Sequence, residues 1–217
     1  AASAEAASTR VTTAGAASAR GAFFADASAT EGGPAAAGRA AGAGTLVKIC
    51  GIRERSHLAQ IVDLPIDYIG LVFAKSKRRV TAEQAAELVA FIRQRRAEAR
   101  RNGPLAVGVF VNPTPDELAA VMAAAPLDVV QLHGEETPEF CRWVKETFAV
   151  RVFKALPVAA NTPAGGGEPH PPSEAGTQRL QSYAGAADVI LLDTSDPHAR
   201  GGTGKTFAWD RIPAYLQ

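Results

Sequence analysis

From residue 46 onward, short apolar runs alternate with segments of helical character, and this rhythm constrains the fold more than any other feature of the chain. The strand-like runs are LVKIC (46–50), DYIGLVF (67–73), LAVGVFV (105–111), LDVVQLH (127–133), VRVFKAL (150–156) and DVILLD (188–193). Strands that are buried on both faces read as nearly continuous apolar runs. Repeated strand–helix units predict an α/β fold with a parallel sheet and right-handed crossovers.

Capping residues mark where the intervening helices begin. Thr-Pro pairs at 114–115 and 137–138 are typical of an N-cap followed by the first helical position. Thr81 and Gln84 are spaced as a capping box for a helix predicted over 81–100. A Pro- and Gly-rich insert at 157–176 precedes a helix predicted over 177–185 and the sixth strand, and a short last helix is expected near AWDRIPAYL (208–216).

The number of units separates two architectures, a doubly wound sheet and a (β/α)8 barrel. A complete barrel has eight strand–helix units in about 250 residues. Residues 46–217 hold about six, so a barrel reading leaves the last two units missing. Residues 1–45 differ in composition, being mostly Ala, Gly, Ser and Thr, and are expected to be a disordered tail or a transit-like segment. The transit reading favours a chloroplast location, with the cytoplasm as the alternative.

Charge and cysteine content narrow the class of partner. Lys and Arg total 23 against 22 Asp and Glu, without the basic clustering typical of nucleic-acid binding. No apolar run is long enough to span a membrane, and Cys50 and Cys141 do not suggest a disulfide framework. No cluster has metal-ligand spacing and no cofactor motif is present. We therefore expect a small-molecule partner, with no nucleic acid, membrane, metal or cofactor, and leave the oligomeric state open.

The segment ARGGTGKTFAW (199–209) contains Gly-Lys-Thr, the end of a nucleotide-binding P-loop motif. The motif also needs a glycine five residues before the Gly-Lys pair, and Ala199 stands there. The loop after the sixth strand is also long for a phosphate cradle. An NTPase is therefore disfavoured, and the segment is interpreted either as a loop over a barrel mouth or as a surface loop.

Several motifs occur in order along the chain: VKICGI (47–52), DYIGLVFAKSKRRV (67–80), VGVFVN (107–112), VVQLHGEE (129–136), FKAL (153–156) and ILLDTSDPHARGGTGKTFAW (190–209). Together they resemble phosphoribosylanthranilate isomerase, a barrel enzyme of tryptophan biosynthesis. The resemblance spans essentially all of residues 46–217. It departs from the family in its longer insert and in its missing last two units.

The resemblance implies an Amadori rearrangement of N-(5-phosphoribosyl)anthranilate to the open-chain 1-deoxyribulose 5-phosphate adduct. It implies Cys50 as the general base and Asp193 as the general acid, both at strand ends, where barrel active sites lie. Packing is the alternative for Cys50, and a turn cap is the alternative for Asp193. Lys48 lies on the same strand face as Cys50, and we expect its ammonium group to favour the thiolate.

Three further residues are assigned to the substrate. The resemblance implies that Arg78 holds the anthranilate carboxylate, for which a planar guanidinium is well suited. Arg79 is a competitor for that role, and a solvated charge is the alternative for both. Gln131 and His133 alternate on one strand face, so at least one is expected to line the pocket, with hydrogen bonding in the core as the alternative.

Two other functions stay open. One is another phosphosugar-binding barrel enzyme such as indole-glycerol-phosphate synthase, and the other is a fragmentary or degenerate barrel without activity. Barrels commonly grip phosphate with the loops after strands 7 and 8. We therefore expect residues 46–217 alone to show no measurable isomerisation. We also expect them to aggregate through unpaired edges at the first and sixth strands.

Overall fold

The computed structural model describes residues 8–11, 45–99, 103–159 and 174–195, which form one seven-stranded sheet and five helices. The strands are β1 (Ser8–Val11), β2 (Leu46–Cys50), β3 (Tyr68–Val72), β4 (Leu105–Phe110), β5 (Val129–Leu132), β6 (Arg151–Ala159) and β7 (Val189–Ser195). The helices are α1 (Arg55–Ile61), α2 (Ala82–Ala99), α3 (Pro115–Ala124), α4 (Pro138–Phe148) and α5 (Glu174–Ser182).

The strands lie side by side in chain order, and each neighbouring pair from β2 to β7 is parallel. Six parallel strands that alternate with helices form a curled half-barrel, which confirms the predicted (β/α)8 architecture with about six units present. Because the sheet curls, the carboxyl ends of all six strands meet around one rim. Side chains that follow those strands therefore share that rim.

Both faces of the sheet are buried, which explains the continuous apolar runs. The concave inner face carries a cluster at alternate strand positions, formed by Tyr68, Leu105, Val107, Val129, Phe153, Ala155 and Leu191. The outer face packs against the helices through a larger cluster that includes Ile69, Val130 and Val152. Since strand side chains alternate between the faces, Cys50, Gln131 and Asp193 belong to the inner face.

The three predicted helix starts are confirmed. Thr114 accepts a hydrogen bond from the Glu117 N–H at 3.2 Å, and its own N–H donates to the Glu117 carboxylate at 2.8 Å, which completes a capping box. Thr81 and Gln84 make the same reciprocal pair at the start of α2. Thr137 caps α4 by accepting from the Phe140 N–H. Each cap fixes where the chain leaves the rim.

Three aspartates at the opposite end of the sheet were not predicted from the sequence. Each aspartate directly precedes one strand and makes two hydrogen bonds to a single residue of the preceding strand. The aspartate carboxylate accepts a bond from the backbone N–H of that residue. The backbone N–H of the aspartate donates to the carbonyl of the same residue. The pairs are Asp67 with Val47, Asp128 with Ala106, and Asp188 with Val152. These clasps fix the register of β2 with β3, β4 with β5, and β6 with β7.

The structure differs from the sequence expectations at three places. Ser8–Val11 forms a strand within the segment expected to be a disordered tail, and it pairs antiparallel with Leu46–Cys50. The edge of β2 is therefore covered in this chain, because an open strand edge offers N–H and carbonyl groups to an extended segment nearby, and the unpaired edge expected for residues 46–217 alone stays a prediction. β6 also runs to Ala159, into the expected insert, and α5 begins three residues before residue 177.

The expected aggregation and the domain division at residue 45 stay predictions. The glycine-rich loop at 199–209 and the last predicted helix lie outside the described residues. Within the described ranges, no helix has the length and apolar character needed to cross a membrane. The same ranges contain no group of three or more His, Cys, Asp and Glu side chains arranged for a metal ion.

Candidate active site

Asp193, near the carboxyl end of β7, is joined to the end of β5 by a histidine. His133 Nε2 lies 2.8 Å from Asp193 Oδ2, and His133 Nδ1 lies 3.1 Å from Gln131 Nε2. Gln131 is buried, whereas His133 and Asp193 are partly exposed at the rim. Gln131 and His133 lie on one face as predicted, and the structure connects both to the predicted acid.

Cys50 ends β2 on the other side of the curled sheet. Its thiol lies over Gly70 of β3, where a Cβ atom would be 2.6 Å from the sulfur and 3.0 Å from Lys48 Nζ. Any larger residue at position 70 would displace one of these groups. The sulfur and the ammonium therefore lie close together, and Lys48 is buried with only 2% of its surface exposed. This is the arrangement expected for Lys48 beside Cys50.

Arg78 lies next to Cys50 through the intervening Gly51. Gly51 has φ +90°, a conformation that favours glycine, and a Cβ atom there would lie 2.5 Å from Arg78 Cδ and 3.1 Å from Nη1. The arginine side chain thus packs over the turn that leaves β2. Arg79, its competitor, is exposed, whereas Arg78 is partly buried. The geometry therefore favours Arg78 over Arg79 as the rim guanidinium.

A buried ion pair behind the rim supports the loop that follows His133. Lys154 is fully buried, and its ammonium donates to Glu136 Oε2 at 3.1 Å. It also donates to the carbonyls of Leu132, Gly134 and Ala155 at 2.9 to 3.3 Å. Burial lowers the pKa of Lys154, and the Glu136 carboxylate opposes that shift. The pair joins β6 to the loop after β5.

The Glu136 carboxylate also holds backbone groups on the neighbouring loop. It accepts from the N–H of Asn112 at 2.7 Å and from the N–H of Gly134 at 2.9 Å. Asn112 in turn accepts from the Glu135 N–H at 2.7 Å, and the Tyr183 hydroxyl donates to the Glu136 carbonyl at 2.7 Å. This network fixes the backbone that directly follows His133.

Neither Glu136 nor Lys154 was predicted from the sequence. Lys154 carried a usable signal, because a lysine inside the apolar run VRVFKAL must be paired if it is buried. Glu136 carried none, since nothing in the sequence shows which acid the lysine meets. Cys141, by contrast, is buried on α4, where burial raises the pKa of its thiol to about 11. It is a packing residue, and Cys50 is the thiol at the rim.

Residues 47–217 match the family described as N-(5'phosphoribosyl)anthranilate (PRA) isomerase. The chain belongs to that family. An N-(5'-phosphoribosyl)anthranilate isomerase of Brevibacillus brevis is 48% identical over 170 residues, which cover 78% of this chain and 68% of the relative. A Listeria monocytogenes isomerase is 42% identical over 168 residues, covering 77% of this chain and 69% of the relative.

Solved structures of the isomerase family share the fold. The Thermotoga maritima phosphoribosyl anthranilate isomerase superposes with a TM-score of 0.59 at 32% identity, covering 77% of this chain and 70% of that one. A second isomerase structure contains reduced 1-(o-carboxyphenylamino)-1-deoxyribulose 5-phosphate. Its TM-score is 0.51 at 32% identity, over 69% of this chain and 64% of that one. The family that the sequence motifs suggested is therefore confirmed.

Proposed function

We propose that this chain carries the acid and the base of an N-(5'-phosphoribosyl)anthranilate isomerase, with Asp193 as the general acid and Cys50 as the general base. The observation that carries the proposal is their placement. Both follow inward-facing positions at the carboxyl ends of parallel strands, on opposite sides of one rim. A furanose held across that rim presents its ring oxygen to one side and its C2′ proton to the other.

The chemistry follows from that placement. Protonated Asp193 gives its proton to the furanose ring oxygen as the C1′–O bond breaks, and the nitrogen lone pair forms the Schiff base. The Cys50 thiolate then takes the C2′ proton, and the C–H electrons neutralise the nitrogen to give an enolamine. The enolamine becomes the ketone product. One proton leaves the acid and one reaches the base, so the protein resets by proton exchange with solvent.

The neighbouring side chains support these roles. Lys48 Nζ and the Cys50 sulfur both lie within 3.0 Å of one point above Gly70, so a cation stands close to the proposed base. Arg78 stands beside Cys50, where its guanidinium can grip the anthranilate carboxylate with two parallel bonds. The substrate is thereby anchored at the Cys50 side of the rim. No described feature favours the synthase alternative over the isomerase.

Replacing each proposed group tests the proposal in the full-length protein. Positioned acid–base groups contribute about 10²–10⁴-fold, so Cys50→Ser and Asp193→Asn should each lower kcat by at least that much. Both variants should still bind a product analogue nearly normally, as measured by fluorescence titration. Cys141→Ser, which changes a thiol behind the sheet, is the matched control and should keep its kcat. Near-normal turnover in Asp193→Asn would assign the acid to another residue.

A further inference from the structure

We infer that Gln131 and His133 are positioning residues that hold the proton of Asp193, with the Gln131 amide turning as that proton comes and goes. The inference rests on the proposed function for Asp193, but the linkage itself is a property of the resting protein. The sequence left two roles open for this pair: at least one of them lining the pocket, or hydrogen bonding in the core. Their hydrogen bonds run to one another and to the proposed acid.

The bond directions define the first of two states. With the Gln131 amide nitrogen toward the ring, His133 Nδ1 accepts from it and carries no proton; with the amide oxygen there, Nδ1 donates, so the amide orientation and the ring tautomer are linked. In the first orientation the single proton of the neutral ring is on Nε2, and it donates to Asp193 Oδ2 at 2.8 Å. Asp193 is therefore the carboxylate in this state. This is the protein after the acid has given its proton away.

The second state follows from an unsatisfied atom. Gln131 Oε1 is buried and accepts no hydrogen bond from the described residues. A buried acceptor without a partner is unfavourable, and the amide can present that oxygen elsewhere. A half-turn of the amide about χ3 exchanges its oxygen and nitrogen with no other movement. The oxygen then accepts from a proton on Nδ1, while the amide N–H groups take the position that the oxygen left, so the protonation of Nδ1 decides which orientation of the amide fits the ring.

That second arrangement requires one more proton on the linked pair. With Nδ1 protonated, Nε2 either accepts from a protonated Asp193 or, as part of an imidazolium, donates to the carboxylate. The two forms differ only in whether the shared proton lies on His133 Nε2 or on Asp193 Oδ2. Loading the acid thus gives the amide oxygen its partner, and releasing the proton to the furanose oxygen returns the amide to the first state.

Other ionisable groups share this surface and stay unchanged when only Gln131 is replaced. On the inner face they are Lys48 and Cys50 of β2, Tyr68 of β3 and Arg151 of β6, with Arg78 and Glu135 on the adjoining loops. Glu136 and Lys154 lie behind the strands and bind each other. If the protonation of His133 changes when only Gln131 is replaced, the change therefore reports the contact between Gln131 and His133.

Histidine ¹⁵N shifts in the ligand-free protein test the linkage without turnover, because they distinguish protonated from unprotonated ring nitrogens. His133→Asn assigns the signal. We expect His133 to carry its proton on Nε2 at high pH. In Gln131→Glu, a carboxylate faces Nδ1, so the doubly protonated ring should persist to a pH about one unit higher or more. Gln60→Glu, the same change on an exposed helix face, should leave the His133 ¹⁵N shifts unchanged.

The pH profile of kcat in the full-length enzyme is the second readout. The fall of kcat at high pH should move upward in Gln131→Glu by the same amount, with KM little changed. A raised KM with an unmoved profile would make Gln131 a substrate contact and overturn the inference. So would a proton on Nδ1 at high pH in the unmodified protein. A protein that shows the expected shifts but does not isomerise would refute the proposed function and leave the linkage standing.

Discussion

Removing the charge of Glu136 measures how strongly the buried ion pair holds the loop after His133. Glu136→Gln keeps the shape of the side chain and an oxygen that accepts from the Asn112 and Gly134 N–H groups. Lys154, fully buried, is left with three carbonyls and no counter-charge. Breaking a buried pair by removing one partner costs about 3–5 kcal/mol. Because the shape is kept, we expect a loss near the lower end of that range at neutral pH.

The loss in the free energy of unfolding should become smaller as the pH rises. Burial already lowers the pKa of Lys154, and the Glu136 charge is the main influence that raises it. Without that charge the pKa falls further in the folded protein, while an unfolded lysine keeps a value of about 10.4. Between the two values the unfolded chain binds more protons, so the free energy of unfolding rises with pH. Glu136→Gln should therefore recover part of its lost stability between about pH 7 and pH 9.5.

Urea unfolding at the two pH values measures both effects. The double variant Glu136→Gln/Lys154→Met contains no titrating lysine at this site and should show no recovery. Lys145→Met is the control for a lysine that is itself exposed and whose partner, Asp188, keeps its bond from the Val152 N–H. Lys145 is 40% exposed, so its loss should stay within about 1 kcal/mol. A loss below about 1 kcal/mol in Glu136→Gln, with no recovery at high pH, would mean that Lys154 is already neutral in the folded protein.

Two further predictions concern the Cys50 side of the rim. Lys48→Met should slow the alkylation of Cys50 near neutral pH, because the ammonium beside the sulfur is lost. Mass spectrometry of the labelled peptides measures the rate at Cys50 and should show Cys141 unmodified in both proteins. Equal alkylation rates at Cys50 in the two proteins would refute the role of Lys48. Arg78→Met should raise KM for the substrate and leave the fold intact by circular dichroism, whereas Arg79→Met should leave KM unchanged; the opposite pattern would reverse the assignment.

Features set by neighbouring residues could be predicted from the sequence. The caps at Thr81, Thr114 and Thr137 need only a partner three residues away, and the parallel strands show in their apolar runs. The inward placement of Cys50 and Asp193 follows from their positions at strand ends. Local spacing carries the caps and the parallel strands, whereas the roles proposed for Cys50 and Asp193 came from the resemblance to the isomerase family.

Contacts between distant segments could not be predicted in the same way. His133 meets Asp193 sixty residues later only because the sheet curls, and Glu136 meets Lys154 through the register of β5 with β6. Pairing of Ser8–Val11 with β2 depends on which extended segment reaches an open edge, and the composition of residues 1–45 gave no sign of it. Sequence spacing does not encode these distances.

One end of the sheet carries Cys50 and Asp193, and the aspartate clasps lie at the other end. Cys50 on β2 and Asp193 on β7 are five strand steps apart, each about 4.8 Å, so small errors of register or twist would accumulate between base and acid. The clasps of Asp67, Asp128 and Asp188 each tie two neighbouring strands at the end opposite to the chemistry. The first clasped pair carries the proposed base and the third carries the proposed acid. Since no clasp contributes a group to the rim, these aspartates can act on turnover only through the spacing and stability of the strands that bear Cys50 and Asp193.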